Sequence, residues 1–247
     1  MQRLMLWLLT VVTVVVVLAI GQLVRDIAKT PTVAAQAALS RSARTASSAS
    51  AHAAARRVSP RSKATSAPSG PQVRDTSSGL SYAELASPWR AGCPAVLKTP
   101  AFSWSAGENA VAGQVTMNGS AFDWHGNACS GVLQPQFQYS GPADLETTAA
   151  SLVSALDPVY YNPLAHSRTV QGSSAMQVSG HQAWMVKFLI SYPDAIGENL
   201  SWTSELGAVV AVDRGAGQAP AVFYASVPAN LGVNSVTALI DSLRLSH

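Results

Sequence analysis

Cys93 and Cys129 are the only two cysteines among 247 residues. Both sit in loop-like contexts, Ala91-Gly92-Cys93-Pro94 and Asn127-Ala128-Cys129-Ser130. An even pair in an exported domain predicts a disulfide. Closing a loop of about 37 residues contributes roughly 3–4 kcal/mol in the chain-entropy description. Two free thiols in a cytoplasmic domain is the other reading, so the pairing depends on the topology. Asp123-Trp124-His125 with Cys129 comes nearest to a metal cluster. It needs a fourth ligand, His166 or His181, and it consumes a cysteine. A turn with a paired cysteine is the preferred reading, and no metal or other cofactor is expected.

Catalytic signatures are sparse. The sequence contains no Gly-x-Ser-x-Gly elbow and no Gly-x4-Gly-Lys-Ser/Thr phosphate loop. Gly215 and Gly217 fall in a hairpin loop rather than between a strand and a helix. A Ser/His/Asp site can be assembled on paper, but no spacing singles one out. No catalytic residue is therefore assigned. The aromatic residues are more suggestive. Trp89 and Trp202 fall in loop contexts, and Tyr160-Tyr161 follows a helix. Loop aromatics can form a binding surface for peptide, glycan or lipid. The plain alternative is that they tuck onto the edge of the core.

The elements that must position these residues lie in one part of the chain. Leu4 to Val24 carries no charged side chain and is about 21 residues long, enough for a helix of roughly 30 Å. It reads as an uncleaved signal anchor within residues 1–29. A cleaved signal peptide is disfavoured, because its apolar region is shorter, about 7–15 residues, and a small-x-small site follows closely. A literal count of Lys and Arg beside the segment favours a cytoplasmic C-terminal side. The very short N-terminal tail and the two cysteines favour the reverse, N-in and C-out, and that orientation is expected.

Residues 30–79 are rich in Ala, Ser, Pro and Arg and lack sustained apolar periodicity. They read as a disordered linker with a mean reach of roughly 40 Å. Ten of the 16 Lys and Arg precede Leu80, opposed only by Asp26 and Asp75. The rest of the chain holds six basic and eleven acidic residues, a net −5. The pI near 9.0 thus belongs to the tail. It does not argue for nucleic acid as a partner of the folded domain. The basic tail reads first as a solvated, self-repelling spacer, and alternatively as attracted to anionic lipid or cell-wall phosphate.

Residues 80–247 hold the aromatic and aliphatic content of a core. Leu145, Ala149, Leu152, Val153 and Leu156 recur on one helical face after Asp144, and Asp157-Pro158 is expected to stop that helix. Trp184, Val186, Phe188, Ile190 and Tyr192 alternate along one face of a strand. Thr169–Val178 is expected to pair with it through a turn at Ser179-Gly180. Two further strands follow, Glu205–Val212 and Ala221–Val227. A closing helix presents Val236, Leu239, Ile240 and Leu243. Before the first helix, Phe102–Ser105, Gln114–Met117, Phe122–Trp124 and Gly131–Leu133 read as short strands. The expected fold is α+β, a mainly antiparallel sheet with two helices on one dry face.

This order resembles the Mog1/PsbP-like fold, and envelope proteins of high-GC Gram-positive bacteria that carry such a domain behind an anchor. The resemblance rests on four features: Gly180-His-Gln-Ala-Trp184, Ala208–Asp213 before a Gly-rich turn, Val222–Pro228, and Ile240-Asp-Ser-Leu-Arg244. It implies a binding, assembly or accessory role and transfers no site residue. The expected function is therefore a non-catalytic, membrane-tethered binding or scaffolding module outside the cytoplasm. An envelope hydrolase, or an anchored regulator with a cytoplasmic domain, are the alternatives.

Overall fold

Val186, Phe188 and Ile190 alternate with Met185, Lys187 and Leu189, and this period of two makes a strand with one fully buried face. The computed structural model describes residues 70–246 apart from 118, 162, 196, 198 and 216. The expected anchor, Leu4–Val24, and the linker up to residue 69 lie outside the described residues. Among the described residues, no helix is long and apolar enough to cross a membrane.

The strands are β1 (Gln72–Arg74), β2 (Leu80–Ala83), β3 (Arg90–Ala91), β4 (Trp104–Met117) and β5 (Ser120–Val132). After helix α1 (Leu145–Leu156) come β6 (Ser167–Val178), β7 (His181–Ser191), β8 (Ser204–Val212) and β9 (Ala221–Pro228). Helix α2 (Asn234–Ser242) and β10 (Arg244–Leu245) close the chain. One antiparallel sheet runs β3-β4-β5-β9-β8-β7-β6, and a small one runs β1-β2-β10. Val178 pairs with His181 across a two-residue turn. Ser179 and Gly180 both take positive φ there, as the tightest hairpins require.

The structure departs from the sequence reading in four places. The expected short strands before α1 are two long ones, β4 and β5, joined as a hairpin with bulges near Ala106 and Ala112. Small residues such as Gly107, Gly113 and Gly126 interrupt the apolar pattern there and hide its continuity. β1 and the turn after it fall within the expected linker, yet they pair with β2. Asp75 makes that turn by accepting hydrogen bonds from the Ser77 and Ser78 N–H groups and the Ser78 hydroxyl. The α1 end is also different: Asp157–Tyr161 continues as a π-helical turn, and Arg168 pairs with Asp157 at 2.7 Å.

The fourth departure concerns the layers. The helices lie on opposite faces of the large sheet, not on one. α1 packs with Val186, Phe188, Val209, Ala211 and Tyr224. α2 packs with Ala208, Val210, Val212, Phe223 and Ala225 on the other side, together with β2. The reason is visible in β9, where every residue from Ala221 to Pro228 is buried. Successive strand residues point to opposite faces, so a continuously buried strand needs a cover on each side.

Candidate functional site

Glu205 is the second residue of β8, a strand otherwise mostly apolar, and is 1% exposed. Its Oε1 accepts hydrogen bonds from Trp124 Nε1 at 2.5 Å and the Tyr192 hydroxyl at 2.8 Å. Its Oε2 accepts one from Ser226 Oγ at 2.7 Å. The Tyr161 hydroxyl donates to Ser226 Oγ at 2.9 Å and lies 2.9 Å from the Tyr224 hydroxyl. Burial pushes the Glu205 carboxyl up from its ordinary range, against the pull of these donors. Burial also pushes the Tyr161 and Tyr224 hydroxyls up. The arrangement is a polar network inside an aromatic shell.

Asn127 on β5 sits directly opposite Ser226 on β9, which extends the polar strip across three strands. Asn127 is 6% exposed. Its Nδ2 donates to the His125 carbonyl at 2.9 Å, which sets the orientation of the amide. Its Oδ1 is then a buried acceptor with no hydrogen-bond partner. Such a group costs about 1–3 kcal/mol and marks a place where something can donate to it.

Above this strip lies a cavity of about 110 Å³. Phe122, Trp124, Tyr160, Tyr161 and Tyr224 line it, with Asn127 and Glu205 also in the wall. Tyr160 and Tyr161 come from the π-helical turn, so the unexpected continuation of α1 builds one side. Pro94, Val96 and Leu97 build another. The Tyr160 hydroxyl donates to the Leu97 carbonyl at 2.6 Å and holds that segment in place. Val96 is 72% exposed at the same wall.

The Cys93–Cys129 disulfide is formed, with Cα atoms 6.0 Å apart. It ties the start of the Pro94–Leu97 segment to β5. Cys129 is not in a loop as its neighbours suggested; it is a fully buried strand residue. Replacing both cysteines with serine is expected to lower stability by roughly 3–4 kcal/mol. A urea midpoint measured at unchanged m-value reads this directly.

The four aromatics expected at a binding surface separate. Trp202 is 3% exposed and stacks near Trp124 at 6.4 Å between ring centroids. It is a core residue, and Gly113 passes closely beneath its ring. Trp89 is half-buried on the opposite side of the sheet, against Leu231 and Gly126. Tyr160 and Tyr161 are buried and line the cavity from within. No shared surface exists among the four. Burying an indole against the sheet edge removes a large apolar area from water, and that outweighs its display in a loop. Glu205, Ser226 and Asn127 were not singled out by the sequence. The one available signal is a carboxylate heading a strand of otherwise apolar residues.

The histidines do not converge. His125 Nδ1 lies 3.1 Å from Asn109 Oδ1, and burial holds the ring below its usual range, partly offset by Asp123. His166 Nδ1 faces the Leu164 carbonyl at 2.8 Å. His181 Nδ1 faces the Asp213 carbonyl at 3.0 Å. Among the described residues no three His, Cys, Asp or Glu side chains are grouped to hold a metal ion.

No protein-family model matches the chain, and no curated protein does. Among solved structures, the solution structure of cyanobacterial PsbP (CyanoP) from Synechocystis matches 71% of this chain and 93% of its own. The identity is 8% and the TM-score 0.43. The α+β class itself stands on the strand order and register described above.

Two further polar features lie outside the cavity. A wider cleft of about 790 Å³ lies between the β5–α1 connection and the β8–β9 loop. Two of its polar groups are engaged internally: the Tyr139 hydroxyl donates to Asp213 at 2.7 Å, and Gln134 Nε2 donates to the Val132 carbonyl. Glu108 on β4 is 1% exposed and accepts the Leu85 N–H at 3.0 Å. Burial, reinforced by Glu84 and opposed by that N–H, pushes its carboxyl up from 4.5 to about 7. A raised folded-state pKa means the native protein holds the proton more tightly than the unfolded chain. The corresponding stability is full below pH 4.5 and is lost as pH rises through about 7. The loss is expected to be about 3 kcal/mol. Urea unfolding across that window should be less pH-dependent in Glu108→Gln, and an undiminished slope would remove Glu108 as the cause.

Proposed function

We propose that the chain is a membrane-tethered binding module of the cell envelope and that its chemistry is non-covalent. The observation that carries this reading is the cavity, which combines five aromatic side chains with one unpaired buried acceptor, Asn127 Oδ1. The carboxyl group in the same wall is already engaged by Trp124, Tyr192 and Ser226. A catalytic acid or base must instead be free to exchange its proton with a substrate. Concave, mostly apolar sites with a few convergent polar groups suit small-ligand recognition. Leu4–Val24 acts as the tether, and residues 30–69 give the domain reach while their basic residues meet anionic lipid or cell-wall phosphate. The domain stands outside the cytoplasm, where the disulfide persists. That organisation is like envelope proteins of high-GC Gram-positive bacteria.

Two measurements test it. Alkaline extraction is expected to leave the full chain in the membrane pellet, and deletion of residues 1–29 to release it. A full chain found in the soluble fraction would overturn the tether. For binding, the Trp124 indole N–H resonance is followed during titration with cationic, neutral and anionic fragments of about six non-hydrogen atoms, a size the cavity admits. At least one class should give a saturating shift. No shift from any class, on a chain with native near-UV dichroism, removes the binding reading.

A further inference from the structure

Within that reading, we propose that the cavity recognises a primary alkylammonium group, the terminus of a lysine-like side chain or of an aliphatic amine. The inference rests on the cavity being a binding site and adds the charge and shape of what enters it.

Three properties of the wall converge. First, its aromatic content is high: Phe122, Trp124, Tyr160, Tyr161 and Tyr224. The faces of such rings carry negative potential and attract an organic cation, more strongly where water is excluded. Second, the one polar atom left over is an acceptor. Asn127 is 94% buried by its 6% exposure, and its Oδ1 has no donor. An ammonium offers three donors and no acceptor, so one N–H satisfies that oxygen. Third, the wall carries no fixed positive charge. Asp123 lines the cavity and no Lys or Arg does, while His125, also in the wall, is held toward its neutral form by burial. The chain from Leu80 onward has six basic and eleven acidic residues, which favours the approach of a cation.

The size is restrictive. A volume of about 110 Å³ is smaller than the roughly 150 Å³ that admits benzene in an engineered cavity. An ammonium with about four carbons fits that space, whereas a sugar ring does not. Anions face the Asp123 carboxylate and the acceptor oxygen of Asn127. A neutral amide or alcohol can supply the missing hydrogen bond but lacks the positive charge that the ring faces and Asp123 attract.

The test uses the full-length chain with its disulfide intact and three probes of one size: n-butylammonium, n-butanol and butyrate. Binding is read from the Trp124 indole N–H resonance and checked by calorimetry. Butylammonium is expected to saturate and to bind at least about tenfold more tightly than butanol, with butyrate weaker still. Asn127→Ala is expected to weaken butylammonium about tenfold. Phe122→Leu keeps apolar bulk at a half-buried wall but removes a ring face. It is expected to weaken butylammonium about threefold and leave butanol unchanged, and this variant decides the matter should Asn127→Ala not fold. Butanol or butyrate binding as tightly as butylammonium overturns the cation inference and leaves a binding module. Silence from all three probes overturns this inference, and silence across the wider fragment set overturns the binding reading as well.

Discussion

Glu205→Ala is expected to destabilise the protein by about 4 kcal/mol or more, enough to unfold a marginal domain. The side chain accepts from Trp124, Tyr192 and Ser226, and all three donors are buried. Truncation leaves each of them without that acceptor and opens a cavity as well. Glu205→Gln should cost far less, about 1 kcal/mol. Its carbonyl keeps the bonds from Trp124 and Tyr192, while its amide can donate to Ser226 Oγ once that hydroxyl turns round. Urea unfolding of both variants checks the order. The pH dependence provides a second readout. The folded-state pKa of Glu205 is raised, so its contribution to stability is present on the acid side and is lost as pH rises through the folded value. That component should vanish in Glu205→Gln. Equal costs for the two variants would show that volume, rather than the hydrogen bonds, is what Glu205 supplies.

The second large effect is expected at Gly107→Ala, which should cost about 3 kcal/mol. A Cβ at this position would collide with Cys93 Sγ and would meet the Ala128 carbonyl oxygen at 2.6 Å and Cys129 Cα at 3.0 Å. One obstacle is a disulfide sulfur and two are backbone, so none can rotate away. The disulfide crosses directly over β4 at Gly107, a residue without a side chain. Gly172→Ala on β6 is the control, because nothing lies within 4 Å of its Cβ position. Its effect should stay within about 0.5 kcal/mol. Removing both cysteines should relieve part of the Gly107→Ala penalty, since Cys93 Sγ goes but the Ala128 carbonyl remains. A double-mutant cycle measures that coupling. A Gly107→Ala variant as mild as Gly172→Ala would contradict the close crossing.

Local patterns announced the elements whose signals are periodic. The apolar stripe of Leu145, Ala149, Leu152 and Leu156 reads as a helix from any vantage, and α1 buries those residues. The alternation along β7 and the Ser179-Gly180 turn specify a hairpin without outside help. β4 and β5 were harder because their glycines serve tertiary needs. Gly107 makes room for the disulfide and Gly113 for the Trp202 ring, and a pattern reader sees only gaps. The burial of Ala221 to Val227 on both faces is legible as a run that is apolar except at Ser226. Its consequence, a cover on each side of the sheet, was not drawn from it.

The pair of cysteines, the charge division and the antiparallel α+β class were properties of the sequence by itself. They depend on residue type and short spacing, which chain order preserves. The cavity was decided only by the tertiary structure. Asn127, Ser226 and Glu205 lie far apart in the chain, and strand order places β5, β9 and β8 side by side so that their polar groups meet. The aromatic wall depends on a π-helical turn that carries Tyr160 and Tyr161 inward. Hydrogen bonding between such distant residues leaves no periodic trace. A lone carboxylate in an apolar strand is the only local sign of it.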